Sequence, residues 1–213
     1  MTRSDLTHLY FLLDRSGSMQ SIKSDIEGGF AAFVAEQRKA PGDCLANLSQ
    51  FDDAYEVVYA DKPLADVPPL DLRPRNMTAL HDAMGRLITD AGTKLAAIPE
   101  SERPGTVIVA IMTDGLENAS KEWHAPAIKS LVEVQTKQYN WEFLYMGADQ
   151  DAVEVGVGLG ISAANSITYA KGKAREAMAV SGGKISGLRS QRMTNPAAAM
   201  PAFTEAERRD LAE

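Results

Sequence analysis

Residues 9–19 read LYFLLDRSGSM, in which five apolar side chains run without interruption and stop at Asp14. A continuous apolar run of this length before a turn is typical of a strand buried on both faces, as in a parallel sheet. Asp14, Ser16 and Ser18 then offer side-chain oxygens on alternate residues of a short loop, and such oxygens suit a hard divalent cation. Open α/β sheets bind ligands at the carboxyl ends of their strands, where this loop would lie.

Taken alone, Asp14, Ser16 and Ser18 could have a purely structural role instead of binding a metal. Ser16 or Ser18 could cap the helix that follows, and Asp14 could accept backbone N–H bonds within the turn. Thr78 has the same alternative, because the apolar spacing after it predicts a helix that its hydroxyl could cap. Capping and metal binding can coexist at one threonine, so these residues alone leave both functions open.

Two further stretches of the sequence complement the stretch that ends at Asp14. Residues 107–115, VIVAIMTDG, form another buried strand that ends in an acid, Asp114, followed by a glycine. Residues 76–80, NMTAL, place a threonine where a second helix begins. Asp-x-Ser-x-Ser, then Thr, then Thr-Asp-Gly, in that order, resembles the metal-ion-dependent adhesion site of the von Willebrand factor A domain family. The resemblance is complete at the motif positions and covers roughly residues 6 to 190.

The resemblance implies a single divalent cation held by Asp14, Ser16, Ser18, Thr78 and Asp114. In the family, the serine and threonine hydroxyls typically bind the ion directly in the ligand-ready form, and the aspartates often act through water. With few direct carboxylates the ion stays electrophilic, and an acidic side chain of a partner protein completes its coordination. Mg²⁺ takes six oxygens at about 2.1 Å and usually keeps waters, so one exchangeable position is chemically reasonable. Mn²⁺ fits the same oxygens, and Ca²⁺, which prefers more ligands, ranks third.

Charged residues beside these loops are candidates for a partner-binding rim. The candidates are Arg15, Arg73, Arg75 and Asp149. Three guanidinium groups beside a cation would favour an anionic partner, such as a carboxylate on another protein. The alternative is that the arginines pair with acids of this chain, namely Asp52, Asp53 or Asp71. For Asp149 the alternative is a solvated acidic rim without a binding function.

The segment between the first two metal loops predicts an antiparallel edge strand. Residues 44–51 alternate apolar and polar side chains as a strand does, and residues 56–59 form its hairpin partner. That partner finishes at the edge opposite Asp14, so the chain needs a long return. Residues 61–76 contain four prolines and are expected to be mostly extended. About 15 extended residues reach well over 40 Å, which is enough to deliver Thr78 to the metal edge.

These elements predict a doubly wound, Rossmann-like α/β fold of about six strands, mostly parallel with one antiparallel edge strand, and with helices on both faces. The domain is expected to occupy residues 1–192. Residues 193–213 are expected to form a linker or flexible arm and a short helix that starts with a capping box at Thr204. Gly28 and Gly29 lie inside the first predicted helix at a cost of about 1 kcal/mol each, and close packing of this helix on the sheet is the expected compensation.

Composition limits the function classes. The 213 residues are 45% hydrophobic, enough for a sizeable core, and the net charge of −7 disfavours nonspecific nucleic-acid binding. The single cysteine, Cys44, excludes an intramolecular disulfide, indicates a reducing compartment and is expected to be a buried structural thiol. The sequence predicts no signal peptide, and no apolar stretch of about 18 residues predicts a transmembrane helix. The expected protein is cytoplasmic, from a bacterium or phage, and does not bind membranes.

Catalysis by a metal-bound water would normally need a general base near the ion. The three histidines, His8, His81 and His124, are expected before the first strand, in the second helix and in the third helix, and none lies on a metal loop. The sequence therefore favours a non-catalytic, metal-dependent protein-binding module that acts as an adaptor or scaffold. The alternative is a metal-dependent hydrolase or phosphoryl-transfer accessory that uses the same ion. The sequence identifies neither the partner nor the oligomeric state.

Overall fold

The centre of the protein is a six-stranded sheet with the strand order β3-β2-β1-β4-β5-β6, in a computed structural model that describes residues 2–213. The strands are β1 (Arg3–Asp14), β2 (Asp43–Phe51), β3 (Tyr55–Pro63), β4 (Pro104–Thr113), β5 (Glu142–Ala148) and β6 (Ser166–Tyr169). Only β3 is antiparallel to its neighbour among these strands. The predicted mostly parallel sheet with one antiparallel edge strand is confirmed.

Helices cover both faces of the sheet. They are α1 (Lys23–Gln37), α2 (Leu80–Ala97), α3 (Ala125–Tyr139), α4 (Ala152–Gly158), α5 (Ala174–Arg192) and α6 (Glu205–Ala212). Buried residues of α1, α5 and α6 form one hydrophobic core, and those of α2, α3 and α4 form the other. No helix within residues 2–213 has the length and apolar character needed to cross a bilayer.

The uninterrupted apolar run in β1 follows from its central place between two cores. Leu9, Phe11 and Leu13 belong to the core on the α1 face, whereas Tyr10 and Leu12 belong to the core on the α2 face. Successive side chains of a strand point to opposite faces, so a strand covered on both sides needs an apolar residue at every position. Asp14 is therefore the first residue after this run that neither core requires to be apolar.

The return segment after β3 carries the chain back to the carboxyl edge of the sheet. It contains one 3-10 turn, Leu64–Asp66, and no α-helix before Leu80. At its end, Arg75 N donates to the carbonyl of Arg15 over 2.8 Å, and Gly17 N donates to the carbonyl of Asn76 over 3.1 Å. These bonds dock the segment on the loop after β1, as the predicted crossing requires.

Gly28 and Gly29 in α1 face another helix instead of the sheet. A Cβ on Gly29 would lie 2.9 Å from Met178 Sδ and 3.1 Å from Arg175 Cα of α5. A Cβ on Gly28 would meet only the guanidinium end of Arg175. The helix packs on the sheet as expected, through Phe30 and Phe33, whose rings lie 5.3 Å and 5.4 Å from that of Phe11. The glycines themselves allow a second close contact, with α5.

The segment after Arg192 packs on the domain. Ala198, Met200, Phe203 and Leu211 are all buried in the core on the α1 face. The helix α6 starts at the predicted capping box, in which Thr204 and Glu207 exchange hydrogen bonds. The stretch that was expected to be a linker or flexible arm is held by these apolar contacts, which composition alone did not predict.

Arg192, at the end of α5, joins this segment to β5. It is 1% exposed, and its Nε donates to the carbonyl of Ala198 over 2.8 Å. Its Nη1 donates to the carbonyl of Asn140 over 3.1 Å, and its Nη2 donates to Glu142 Oε1 over 2.5 Å. A buried guanidinium needs such partners to be tolerated, so the ordered position of the C-terminal segment depends on them.

Candidate metal centre

The ends of β1 and β4 bring two of the predicted donors together. These strands are parallel neighbours in register up to the pair Leu13 and Met112. Asp14 and Asp114 therefore leave the sheet at the same edge, where open α/β sheets bind ligands. Thr78 reaches this edge from the return segment that precedes α2.

The three predicted hydroxyls are held close to Asp114. Ser16 Oγ and Ser18 Oγ lie 3.2 Å apart, and Ser18 Oγ donates to Asp114 Oδ1 over 2.6 Å. A Cβ on Gly115 would lie 3.2 Å from Thr78 Oγ1 and 3.8 Å from Ser18 Oγ. A side chain at residue 115 would therefore crowd the hydroxyls of Thr78 and Ser18.

Asp14 lies behind the hydroxyls and is fully buried. Its Oδ1 accepts a 2.6 Å hydrogen bond from Ser16 N, and its Oδ2 accepts a 2.5 Å bond from Thr113 Oγ1. Burial raises the pKa of Asp14 to about 6, although these hydrogen bonds act in the opposite direction. The carboxylate is a charge that the fold buries at a cost, and a nearby cation would offset that cost.

Asp114 provides the observation that tests whether a cation fits. Its Oδ2 is buried and has no hydrogen-bond partner within residues 2–213, and burial raises the pKa of this carboxyl. The described residues, at this edge or elsewhere, contain no group of three or more His, Cys, Asp or Glu side chains placed to hold a metal ion. The predicted donor set contains two carboxylates and three hydroxyls. All of these donors are oxygens, which suit Mg²⁺ or Mn²⁺.

Thr78 is not the cap of the helix that follows it. The N-cap of α2 is Ala79, and no side-chain cap bond is made there. Instead, Thr78 N donates to Asn118 Oδ1 over 3.0 Å, and its carbonyl accepts from the N–H groups of Asn118 and Ala119. The loop after β4 thus fixes the backbone of Thr78 and leaves capping to other residues.

The same loop caps α2 from outside. Glu117 Oε2 accepts from His81 N over 2.9 Å, and Ser120 Oγ accepts from Asp82 N over 3.0 Å. Asp82 in turn accepts hydrogen bonds from the N–H groups of Lys121, Glu122 and Trp123. No local pattern in the sequence indicates this exchange. The next helix, α3, starts at Ala125, and Ser120 lies in the loop before it.

Comparisons with known proteins bear on the fold. The sequence matches no family model and no curated protein. Among solved structures, it resembles a von Willebrand factor type A protein from Catenulispora acidiphila (TM-score 0.56, 14% identity, 85% of this chain and 43% of that one). It also resembles the ArnB paralog VWA2 from Sulfolobus acidocaldarius (TM-score 0.53, 14% identity, 83% and 44%). A third similar structure is the pilus adhesin SpaC from Lactobacillus rhamnosus GG (TM-score 0.60, 12% identity, 89% and 30%).

The fold is that of a von Willebrand factor A domain. At 12–14% identity the likeness establishes this fold and nothing more about the site. The chain spans less than half the length of each of these structures.

The arginines around this edge of the sheet all pair with acids of the chain. Arg15 is buried; its Nε lies 3.1 Å from Asp52 Oδ2, and its Nη1 lies 2.5 Å from Glu56 Oε2. Arg75 Nε reaches the same Asp52 oxygen over 2.6 Å. A third pair joins Arg73 and Asp71 over 2.7 Å. All three arginines therefore pair with acids of this chain, which is the alternative to partner binding. Arg73 and Arg75 are nevertheless largely exposed, so partner binding by these two residues remains a prediction.

Asp149 lies at the same edge, next to a residue that sequence reasoning missed. Asp149 adopts a left-handed backbone conformation, with φ of 48°, directly after β5, and its side chain is half exposed. Lys171, in the turn after β6, places its Nζ 3.9 Å from Asp149 Oδ2 and 3.9 Å from Asp114 Oδ2. No pattern in the sequence marks this lysine, because the contact depends on the spatial order of β4, β5 and β6.

Proposed function

We propose that this von Willebrand factor A domain is a non-catalytic, metal-dependent protein-binding module that acts as an adaptor or scaffold. The metal is Mg²⁺ or Mn²⁺, with Ca²⁺ third, held by Asp14, Ser16, Ser18, Thr78 and Asp114. When bound, the ion supplies a Lewis-acidic position that accepts a carboxylate from an acidic side chain of the partner. The observation that carries this proposal is the gathering of three hydroxyls around Asp114, whose buried Oδ2 has no hydrogen-bond partner within residues 2–213.

Exposed apolar side chains beside the donors support a protein as the partner. Met77, directly before Thr78, is 56% exposed, and Leu116, two residues after Asp114, is 62% exposed. Exposed apolar residues next to a polar binding site are typical of protein interfaces. One structure with this fold belongs to a pilus adhesin, and the use of the fold to attach to other molecules supports the proposal by analogy.

The positions of the histidines support a site without a general base. His8 lies within β1, not before it as expected, and is buried beside Asp61. His81 lies in the first turn of α2, and its Nδ1 lies 3.8 Å from Glu117 Oε2. His124 is the N-cap residue of α3.

Composition supports the proposed location and partner class. The net charge of −7 favours a protein partner over nucleic acid. We propose a cytoplasmic protein of a bacterium or phage, and the buried thiol of Cys44, whose pKa burial raises to about 11, is consistent with a structural cysteine in a reducing compartment.

Titration of the protein with Mg²⁺ or Mn²⁺ by isothermal calorimetry tests the metal site. Thr78→Ala removes one hydroxyl donor, whereas Thr78→Ser keeps it. We expect wild-type binding, Thr78→Ser within about threefold of it, and Thr78→Ala weaker by about tenfold or more, with an unchanged circular dichroism spectrum. Binding that is absent in the wild type, or equal in Thr78→Ala, would contradict the metal centre.

A pull-down with and without Mg²⁺ tests the binding function. The double variant Met77→Ser/Leu116→Ser should lose partner capture and keep its Mg²⁺ affinity. Val134→Ser, which replaces an exposed valine on α3, is the matched control and should keep both. Capture that ignores both the ion and these residues would count against the proposal.

Incubation with Mg²⁺ or Mn²⁺ and generic phosphoesters tests the enzymatic alternative. We expect no turnover above the rate of the free ions. Turnover that Asp14→Ala abolishes would show a hydrolase or phosphoryl-transfer activity and would overturn the non-catalytic proposal.

A further inference from the structure

Lys171 is the cationic group that faces the unpartnered oxygen of Asp114. Its Nζ lies 3.9 Å from Asp114 Oδ2 and 3.9 Å from Asp149 Oδ2, beyond the distance of a direct hydrogen bond. Asp114 Oδ2 is buried and has no hydrogen-bond partner within residues 2–213. The ammonium group therefore balances the charge of the two carboxylates without occupying the coordination space of that oxygen.

The backbone on either side of Lys171 is fixed by the fold. Ala170 N donates to the carbonyl of Leu211 in α6 over 2.8 Å, and Lys173 N donates to the carbonyl of Ala170 over 2.7 Å. Asp149 N donates to the carbonyl of Tyr169 over 3.1 Å. The turn thus holds the Cα of Lys171 beside the end of β5, while its four-carbon side chain, 41% exposed, can still move its charge towards solvent.

The acids at this edge need a counter-charge when no divalent ion is bound. Asp14 and Asp114 lie at the ends of adjacent strands, and Asp149 follows the next strand along the sheet. An ammonium within 4 Å of a carboxylate stabilises the charged form of that carboxylate, whereas the same ammonium repels a second cation nearby. Lys171 and a divalent ion therefore compete for the negative charge of the same carboxylates.

We propose that Lys171 is a built-in counter-ion that competes with the divalent cation at Asp114 and so sets the metal affinity of the site. The inference rests on the metal centre in the proposed function and deepens it. In the metal-free protein the ammonium stabilises Asp114 and Asp149. Metal binding must overcome its repulsion, so the affinity is lower than the five oxygen donors alone would give.

Three variants separate charge from position. Lys171→Met removes the charge and keeps most of the side-chain length, and Lys171→Arg keeps the charge. Lys173→Met makes the same change in net charge two residues further on. By calorimetry with MgCl₂, Lys171→Met should lower the Kd by about tenfold, whereas Lys171→Arg and Lys173→Met should stay within about threefold of the wild type.

A second readout does not depend on bound metal. In EDTA, Lys171→Met should lower the melting temperature relative to Lys173→Met, because Asp114 and Asp149 lose their counter-charge. Wild-type protein that binds no Mg²⁺ or Mn²⁺ would refute the metal centre itself. Wild-type binding with an unchanged or raised Kd in Lys171→Met would refute only the role of Lys171.

Discussion

The hydroxyl of Ser18 donates a 2.6 Å hydrogen bond to Asp114 Oδ1, and the two residues are 96 positions apart in the sequence. This bond joins the loop after β1 to the loop after β4 through two side chains of the protein itself. Two of the predicted donors are therefore held together by a direct contact between these loops. The same geometry leaves Asp14 buried behind the hydroxyls, where its charge has consequences for stability.

Asp14→Asn should raise the melting temperature of the metal-free protein and abolish metal binding. The pKa of Asp14 is raised from 3.8 to about 6 by burial, so the folded state binds more protons than the unfolded state between these values. Its contribution to stability is therefore lost as the pH rises through this window. An amide can still accept from Ser16 N and donate to Thr113 Oγ1, whose hydroxyl can turn to the carbonyl of Gly115.

Thermal unfolding in EDTA measures this effect. At pH 7.5 we expect Asp14→Asn to melt at least about 2 °C above the wild type, and at pH 5 we expect the difference to shrink. A variant that melts at a lower temperature at both pH values would show that the charge of Asp14 does not destabilise the folded protein.

Asp52→Ala should destabilise the protein far more than Arg73→Ala. Asp52 is fully buried and pairs with Arg15, which is 6% exposed, so its removal leaves this buried guanidinium with only the exposed Glu56 as an acid partner. Loss of one member of a buried pair costs about 3–5 kcal/mol. Arg73 forms a single exposed pair with Asp71, and such pairs contribute about 0–1 kcal/mol. Urea unfolding should give free energies that differ accordingly, and equal losses would contradict this assignment.

Gly29→Ala should destabilise the protein, and Gly28→Ala should not. The new methyl group at residue 29 would press on Met178 and on the backbone of Arg175, which costs about 1–3 kcal/mol. At residue 28 it would meet only the mobile end of the Arg175 side chain, and replacing a helical glycine gains up to about 1 kcal/mol. Chemical denaturation of both variants measures the difference. The opposite order would mean that α1 and α5 are not in close contact here.

His8 should make the protein less stable at mildly acidic pH. Burial lowers the pKa of His8 below 6.5, and the nearby Asp61 offsets this only in part. The unfolded state therefore binds more protons, so the stability contributed by neutral His8 is complete above about pH 6.5 and is lost as the pH falls. His8→Phe should reduce the loss of unfolding free energy between pH 7.5 and pH 5.5. His124→Gln, at an exposed position, should leave that loss unchanged.

Residues that act through local pattern could be predicted from the sequence. The apolar run of β1 and the acids that end β1 and β4 predict the sheet and its ligand edge, because strand burial and strand ends are visible in a single segment. The capping box at Thr204 was predicted for the same reason. Whether the predicted donors bind an ion stays a prediction.

Residues that act across the fold could not be predicted. Ser120 lies in the loop after β4, yet its hydroxyl accepts from Asp82 N in the first turn of α2. Lys171 reaches Asp114 only because β6, β5 and β4 are neighbours in space. Arg15 alternates with the metal donors, but its burial against Asp52 depends on the return of the chain after β3. In each case the partner lies more than 30 residues away in the sequence. The periodicity of side chains within one helix or strand carries no information about such distant contacts.

The guanidinium of Arg192 sets a practical limit for protein engineers. It binds the carbonyls of Ala198 and Asn140 and the carboxylate of Glu142, so a fragment cut after residue 192 would lose one of these three anchors. The same cut would expose the apolar core residues that Phe203 and Leu211 cover. Expression of such a fragment should give inclusion bodies, and affinity tags should therefore be fused beyond α6.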